Sequence, residues 1–205
     1  MQIKTVLFDI GGVLTPDPYE TILLHEEHGL GHDLNLTKEE LSKKLSVVWE
    51  KYATTENTSE TEFWDEVNQT IGTKLREEDI VTVRRKVIIP NSETNTVFSF
   101  LTDKGIRLGI ISNNTSFFYE LQASMLPIKK YIDANLIFLS QEEHCRKSDG
   151  LFEVAAEALD PKSTFVIDDR FSNVEYAKKL GFDGEVYSME DGDSLLSLVQ
   201  RILVR

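Results

Sequence analysis

The sequence predicts an α/β protein: a parallel β-sheet covered by helices on both faces, in three layers, with an all-helical segment inserted after the first strand. Three observations predict it. Short, continuously apolar runs recur at Thr5–Phe8, Ile106–Ile111, Leu136–Leu139 and Thr164–Ile167, with a weaker one at Glu185–Tyr187. Helical patterns alternate with the later runs. Between residues 16 and 90 the alternation stops, and only helical patterns occur.

Each element has a local reason. Most of the apolar runs lack strict apolar–polar alternation, which is the pattern of strands buried on both faces of a parallel sheet. Ser92 to Lys104 places Val97, Phe98 and Leu101 on one face and stops at Gly105, a residue suited to a left-handed helix cap. Leu151 to Leu159 and Val174 to Leu180 also read as helices, the second ending at Gly181. Strand–helix alternation implies right-handed crossovers, with helices on both sheet faces. In the insert, Tyr19 to His28 reads as a first helix. Thr37-Lys38-Glu39-Glu40 is a capping box ahead of Leu41, Leu45, Val48, Trp49 and Tyr52. Ser59-Glu60-Thr61-Glu62 is a second, ahead of Phe63, Val67 and Ile71. Glu77 to Lys86 starts acidic and ends in Arg84-Arg85-Lys86, matching the helix dipole. Pro16-Asp17-Pro18 and Pro90-Asn91-Ser92 mark the junctions, because proline and the residue before it resist helix. The expected division is therefore a core of residues 1–15 and 91–205 with a helical domain at 16–90.

Composition narrows the function. The chain has 205 residues, 40% hydrophobic and 28% charged, which are ordinary globular values and exclude wholesale disorder or a fibre. Twenty-two Lys and Arg face 35 Asp and Glu, a net charge of −13. Such a surface repels phosphate backbones and anionic lipid, so neither nucleic acid nor a membrane is expected as a partner. No apolar run approaches the ~20 residues of a spanning helix. Met1-Gln2-Ile3-Lys4 leads straight into a strand pattern without a secretory leader, and the single Cys145 fits a reducing compartment. A cytoplasmic location is expected. Oligomeric state has no signal.

In open parallel sheets, ligands bind beyond the carboxyl ends of the strands. Those ends carry Asp9, Ser112, Lys147 shortly after the third strand, and Asp168-Asp169. Alone, each reads as a turn cap or a solvated surface group. Together they bring three carboxylates to one rim, where they cannot all stay ionised without a cation. A hard divalent ion with oxygen ligands, Mg²⁺, resolves that repulsion, and Lys147 adds positive charge for an anionic substrate. A carboxylate nucleophile with Mg²⁺, a hydroxyl and a lysine is equipment for phosphoryl transfer through an aspartyl-phosphate.

Phe8-Asp9-Ile10-Gly11-Gly12-Val13-Leu14, Ile110-Ile111-Ser112-Asn113-Asn114, Arg146-Lys147-Ser148-Asp149 and Val166-Ile167-Asp168-Asp169-Arg170-Phe171-Ser172-Asn173 resemble, in order and spacing, the four motifs of the haloacid dehalogenase-like (HAD) hydrolase superfamily. The resemblance implies a Rossmann-like core with a helical cap, and a Mg²⁺-dependent phosphatase of a small phosphorylated metabolite. It implies Asp9 as nucleophile, and Asp9, the Gly11 carbonyl, Asp169 and Asp168 (directly or through water) as metal ligands. The phosphate would rest against Ser112, Asn113, Lys147 and the N–H groups of Ile10 and Gly11. Asn173 falls where the family often has an acidic residue.

One departure matters. Phosphatases of this superfamily generally carry a second Asp two residues after the nucleophile, as general acid–base; here that position is Gly11. Such help is typically worth ~10²–10⁴-fold. Substitutes are His25, Glu26 or His28 of the cap, Asp17 just past the motif, or a leaving group that needs no acid. Superfamily members with an Asp-x-Gly first motif include phosphatase-like proteins. A non-catalytic binding or regulatory protein on the same fold is the alternative reading. Haloacid dehalogenase is a further one, against which the Asp168-Asp169 pair argues.

Weaker signals remain. His25, His28 and His32, with Glu26 and Asp33, invite a zinc site but lack the usual ligand order. Arg84-Arg85-Lys86 reads as a solvated helix end. Trp49, Phe63 and Trp64 read as cap core, with room for one to face the cleft. Cys145 has no neighbouring base to make it a nucleophile.

Overall fold

The computed structural model describes residues 2–31, 34 and 36–204. Five parallel strands form one sheet: β1 (Thr5–Phe8), β2 (Arg107–Ser112), β3 (Ile137–Leu139), β4 (Thr164–Asp168) and β5 (Asp183–Val186). Their order is β3-β2-β1-β4-β5. The order reverses beside β1, and in such sheets the switch point opens a crevice beyond the strand ends. Phe8 pairs with Ile110 on one side and Ile167 on the other, so Asp9 emerges between the ends of β2 and β4.

Four helices follow β1: α1 (Pro18–Leu24), α2 (Lys38–Ala53), α3 (Glu60–Ile71) and α4 (Glu77–Val87). Then come α5 (Thr94–Asp103), α6 (Ser116–Met125), α7 (Ile128–Tyr131), α8 (Ser140–Glu143), α9 (Leu151–Ala158), α10 (Phe171–Lys179) and α11 (Leu195–Ile202). Thr37 and Glu40 form the reciprocal capping box in full, whereas Ser59 makes only the forward half, accepting from the Glu62 N–H. Gly105 ends its helix at φ +73°, as its position implies.

Two boundaries differ most from the sequence expectation, and two helices add to it. α1 stops at Leu24 rather than His28, because Gly29 and Gly31 fold the chain back against Leu23 and His25 too closely for a side chain. The last strand is Asp183–Val186, not Glu185–Tyr187. A Cβ on Gly184 would lie 2.9 Å from the Val166 carbonyl, so an unpromising residue is the one that lets the edge strand approach. α6 and α11 go beyond the sequence reading; Thr115 and Ser194 cap them by accepting from Phe118 N–H and Ser197 N–H.

Two apolar clusters cover the sheet. One packs Phe8, Phe98, Ile110, Ile167 and Val199; the other packs Leu7, Ile111, Phe152, Val166 and Ala177. A third fills the helical insert with Tyr19, Leu41, Leu45, Tyr52, Phe63, Trp64 and Val83. It also takes in Phe118 of α6, fully buried and ringed by Phe63, Trp64 and Phe117. No helix among the described residues is long and apolar enough to cross a membrane.

Phe118→Ala removes a buried ring from the seam between insert and sheet. It is expected to lower unfolding free energy by about 3–5 kcal/mol in urea titration, whereas Val47→Ala at an exposed site should stay within about 0.5 kcal/mol.

Candidate active site

The strand ends bring Asp9, Lys147 and Asp168 together. The Lys147 ammonium lies 2.6 Å from Asp9 Oδ2 and 2.6 Å from Asp168 Oδ2, in a place closed to solvent. Lys147 is held there from the backbone, where its N–H donates to Asn113 Oδ1 at 2.9 Å. Burial alone would depress the ammonium, but Asp168 and Asp9 outweigh it and hold its pKa above the ordinary lysine value. The second Asp168 oxygen accepts from the Arg170 N–H and from Asn173 Nδ2, both at 2.9 Å.

Asp169 turns the other way. Among the described residues it accepts no hydrogen bond, and burial together with Asp9, Asp17 and Asp168 raises its pKa to about 8. Asp9 is raised to about 6, by burial first; Lys147 pulls it down while Asp168 pushes it up. Oxygens of Asp9, Asp168 and Asp169 lie within 4.8 Å of one another, the only group of this kind among the described residues. Hard oxygen donors, crowded and mutually repelling, with one carboxylate unpartnered, fit a divalent cation. The loop that holds them needs glycine at position 12. Its φ is +73°, and a Cβ there would stand 2.6 Å from the Asp169 carboxyl.

These groups open into a cleft of about 290 Å³ between the sheet and the insert. Asp9, Gly11, Asn113, Lys147, Asp169 and Asn173 line the sheet side. Tyr19, Ser42, Ser46, Trp49 and Glu50 line the insert side. Arg146 and Arg170 add positive charge. Arg146 is tied to Glu50 at 3.0 Å, and Arg170 lies 3.7 Å from Asp17 and 3.9 Å from Glu20. Asp17 also lines the cleft; burial and the Glu20 charge raise its pKa.

Several expected positions are refined. The Ile10 N–H, expected to cradle phosphate, donates instead to Asp9 Oδ1 at 2.7 Å, so it orients the carboxylate. Ser112 ends β2 at 1% exposure and lies back from the cleft wall, which Asn113 and Asn114 supply at that strand end. Asp168 shares the carboxylate cluster, but both its oxygens already accept hydrogen bonds from the protein. Of the three aromatics, Trp49 faces the cleft and Phe63 and Trp64 are core.

The weaker signals dissolve. His25 and His28 stack on each other at 5.4 Å, and His25 borders a separate recess with Leu24, Leu36 and Lys38. His32 and Asp33 lie outside the described residues. Arg84 pairs with Glu60 at 2.6 Å, joining α4 to α3, while Arg85 and Lys86 are exposed. Burial raises the Cys145 thiol, which keeps it protonated. Sequence reasoning missed Arg170, Arg146, Ser42, Ser46 and Glu50 as cleft residues. For α2 a signal existed, since Ser42, Ser46 and Glu50 recur at helical spacing on a face beside that of Leu41, Leu45 and Val48.

Comparison with known proteins agrees with this fold. A HAD family enzyme from Bacteroides thetaiotaomicron superposes with a TM-score of 0.74 at 21% identity, over 97% of this chain and 98% of its own. The same protein has been solved as a magnesium complex. A protein from Porphyromonas gingivalis described as a predicted HAD-like family hydrolase gives 0.68 at 20% identity over the whole of both chains. A HAD phosphatase from Thermococcus onnurineus gives 0.61 at 17% identity over 98% of both. No curated protein matches the sequence. The family model for haloacid dehalogenase-like hydrolases matches residues 3–181, and with that span covered the chain belongs to the haloacid dehalogenase-like hydrolase family.

Proposed function

We propose that the protein is a Mg²⁺-dependent phosphatase that transfers the phosphoryl group of a small metabolite to Asp9 and then to water. One observation carries this reading. Asp9 is pinned by the Ile10 N–H and by Lys147, and opens beside the unpartnered Asp169 onto a polar cleft. The solved magnesium complex of the Bacteroides relative and the phosphatase from Thermococcus support it.

Asp9 and Asp169 would hold the ion, with the Gly11 carbonyl as a further ligand. When bound, Mg²⁺ supplies positive charge to the carboxylates and to the phosphoryl oxygens. Lys147 keeps Asp9 ionised and counters charge on the transferring group. Asp168 fixes Lys147 in place. Asp9 Oδ attacks phosphorus as the P–O bond to the metabolite breaks and the metabolite leaves, giving an acyl phosphate; attack of water on that phosphorus then breaks the acyl phosphate P–O bond, releasing inorganic phosphate and the free carboxylate. Arg146 and Arg170 add positive field for an anionic substrate. The helical insert acts as a cap: Tyr19, Trp49, Ser42 and Glu50 face the substrate's organic part and select it. The cleft size favours a small molecule over a macromolecule, and the half-buried Cys145, the chain's single cysteine, accords with a cytoplasmic location.

A non-catalytic binder is the second reading, favoured by the glycine at position 11. It predicts Mg²⁺- or phosphate-dependent thermal stabilisation with no release of inorganic phosphate from a panel of sugar, nucleotide and amino-acid phosphates.

On that panel the wild-type protein is expected to release phosphate with Mg²⁺ and to stop with EDTA. Asp9→Asn should lower turnover by roughly 10³-fold or more, and unchanged turnover would remove Asp9 as nucleophile. A second expectation concerns pH. Without divalent ions, Asp9 and Asp169 keep protons in the folded protein up to about 6 and about 8, against 3.8 for an ordinary Asp. The folded state then binds more protons than the unfolded chain, so ion-free stability falls as pH rises from about 4 to about 8. The melting temperature gained by adding Mg²⁺ should therefore grow between pH 5 and pH 8. Asp169→Asn should flatten both trends in thermal melts; persistence of the trends in that variant would place their origin elsewhere.

A further inference from the structure

Position 11 carries no side chain, yet the space beside it is filled. A Cβ built on Gly11 would lie 2.1 Å from Asp17 Oδ1 and 3.1 Å from Asp17 Cγ. A carboxyl from six residues further along the chain thus stands where an acidic side chain at position 11 would stand. Prolines on either side restrict how residue 17 is presented, with Asp17 extended at φ −65° and ψ 117°.

Asp17 has no structural task that explains this placement. It occupies the N-cap position of α1 but does not cap it. Among the described residues its carboxyl accepts no hydrogen bond, and its one ion pair, to Arg170, is long at 3.7 Å. Even so, the side chain is only 21% exposed and borders the cleft with Asp9, Gly11 and Asp169. The other candidates lie elsewhere. His25 borders the separate recess, stacked on His28, and Glu26 is on the surface.

We propose that Asp17 is the general acid–base of the reaction, restoring from the start of the helical insert the carboxyl that position 11 lacks. The proposal rests on the phosphatase reading above. In the first step the Asp9 oxygen bonds to phosphorus as the bond to the leaving oxygen breaks, and the Asp17 proton passes to that oxygen. In the second, Asp17 takes a proton from water as the water oxygen bonds to phosphorus. The acyl–phosphate P–O bond then breaks, releasing inorganic phosphate and the free Asp9 carboxylate. One carboxyl thus serves both half-reactions, and because it belongs to the insert, its placement depends on how that insert sits over the sheet.

The test compares wild type with Asp17→Asn in Mg²⁺, using acetyl phosphate, whose leaving group needs no proton, and a panel of small alkyl phosphates, whose leaving groups do. Asp17→Asn should lose ~10²–10⁴-fold on the alkyl phosphates. With acetyl phosphate it should still phosphorylate Asp9 but hydrolyse the adduct slowly, so that intact mass shows one added phosphoryl group that wild type does not accumulate. A purely structural role would impair both steps and leave no adduct. Asp17→Gly, which vacates the space, should regain alkyl phosphate turnover when combined with Gly11→Asp. Alkyl phosphate turnover by Asp17→Asn within a few-fold of wild type, no adduct from acetyl phosphate, or no gain in the double variant would each overturn the assignment. A wild type that hydrolyses neither substrate class would instead sink the phosphatase reading, and this proposal with it.

Discussion

A buried ammonium between two carboxylates organises this molecule. Lys147 sits 2.6 Å from both Asp9 and Asp168 with no access to water, a geometry in which removing any one partner strands a charge. The sheet makes it possible. β1 and β4 are hydrogen-bonded neighbours in parallel register, so their C-terminal residues must emerge side by side with their acidic side chains close. Lys147 reaches them from beyond β3, guided by Asn113 at the end of β2. The ends of β1 and β4 are thereby bound to one charge, with the end of β2 holding the backbone of the residue that carries it, and the balance within that group decides which carboxylate is free. Asp168 is consumed by structure; Asp169, one residue on, accepts no hydrogen bond among the described residues, and burial with three neighbouring carboxylates outweighs the attraction of Arg170.

The same arithmetic accounts for the shape of the loop after β1. Asp169 comes so near Gly12 that no side chain fits there, and Asp17 comes so near Gly11 that none fits there either. Gly12 is required both by its left-handed backbone and by the Asp169 carboxyl beside it, whereas at Gly11 only the Asp17 carboxyl takes the space.

Much of this was legible in the sequence, for reasons that can be named. Apolar runs mark buried parallel strands because both faces of such a strand must be greasy, so β1, β2, β3 and β4 stand out. The edge strand β5 does not, because Gly184 serves close backbone approach and brings no apolar side chain. Asp9, Lys147 and Asp169 were readable because their chemistry is tied to strand ends. What the sequence could not reveal was partnership: that the Ile10 N–H turns to Asp9 itself, that Ser112 lies behind the wall, and that Arg170 reaches Asp17 and Glu20 across the junction. Those facts depend on rotamers and on how the insert is seated over the sheet, which are tertiary outcomes. The seating also explains why α6 was hard to anticipate, since its aromatic run is divided between two lobes.

That division has a mechanical consequence. Phe118 is rooted in α6, beside the sheet, but its ring completes the interior of the insert, and from the same segment Asn114 bonds Gln122 while Ser140 bonds the Ala53 carbonyl at the end of α2. The upper lobe therefore cannot swing like a flap on two loose straps. An outward rotation would either expose an aromatic ring or drag α6 with it, and α6 starts directly after the asparagines that wall the cleft. The contacts that seat the roof thus run through the same segment that forms part of the floor.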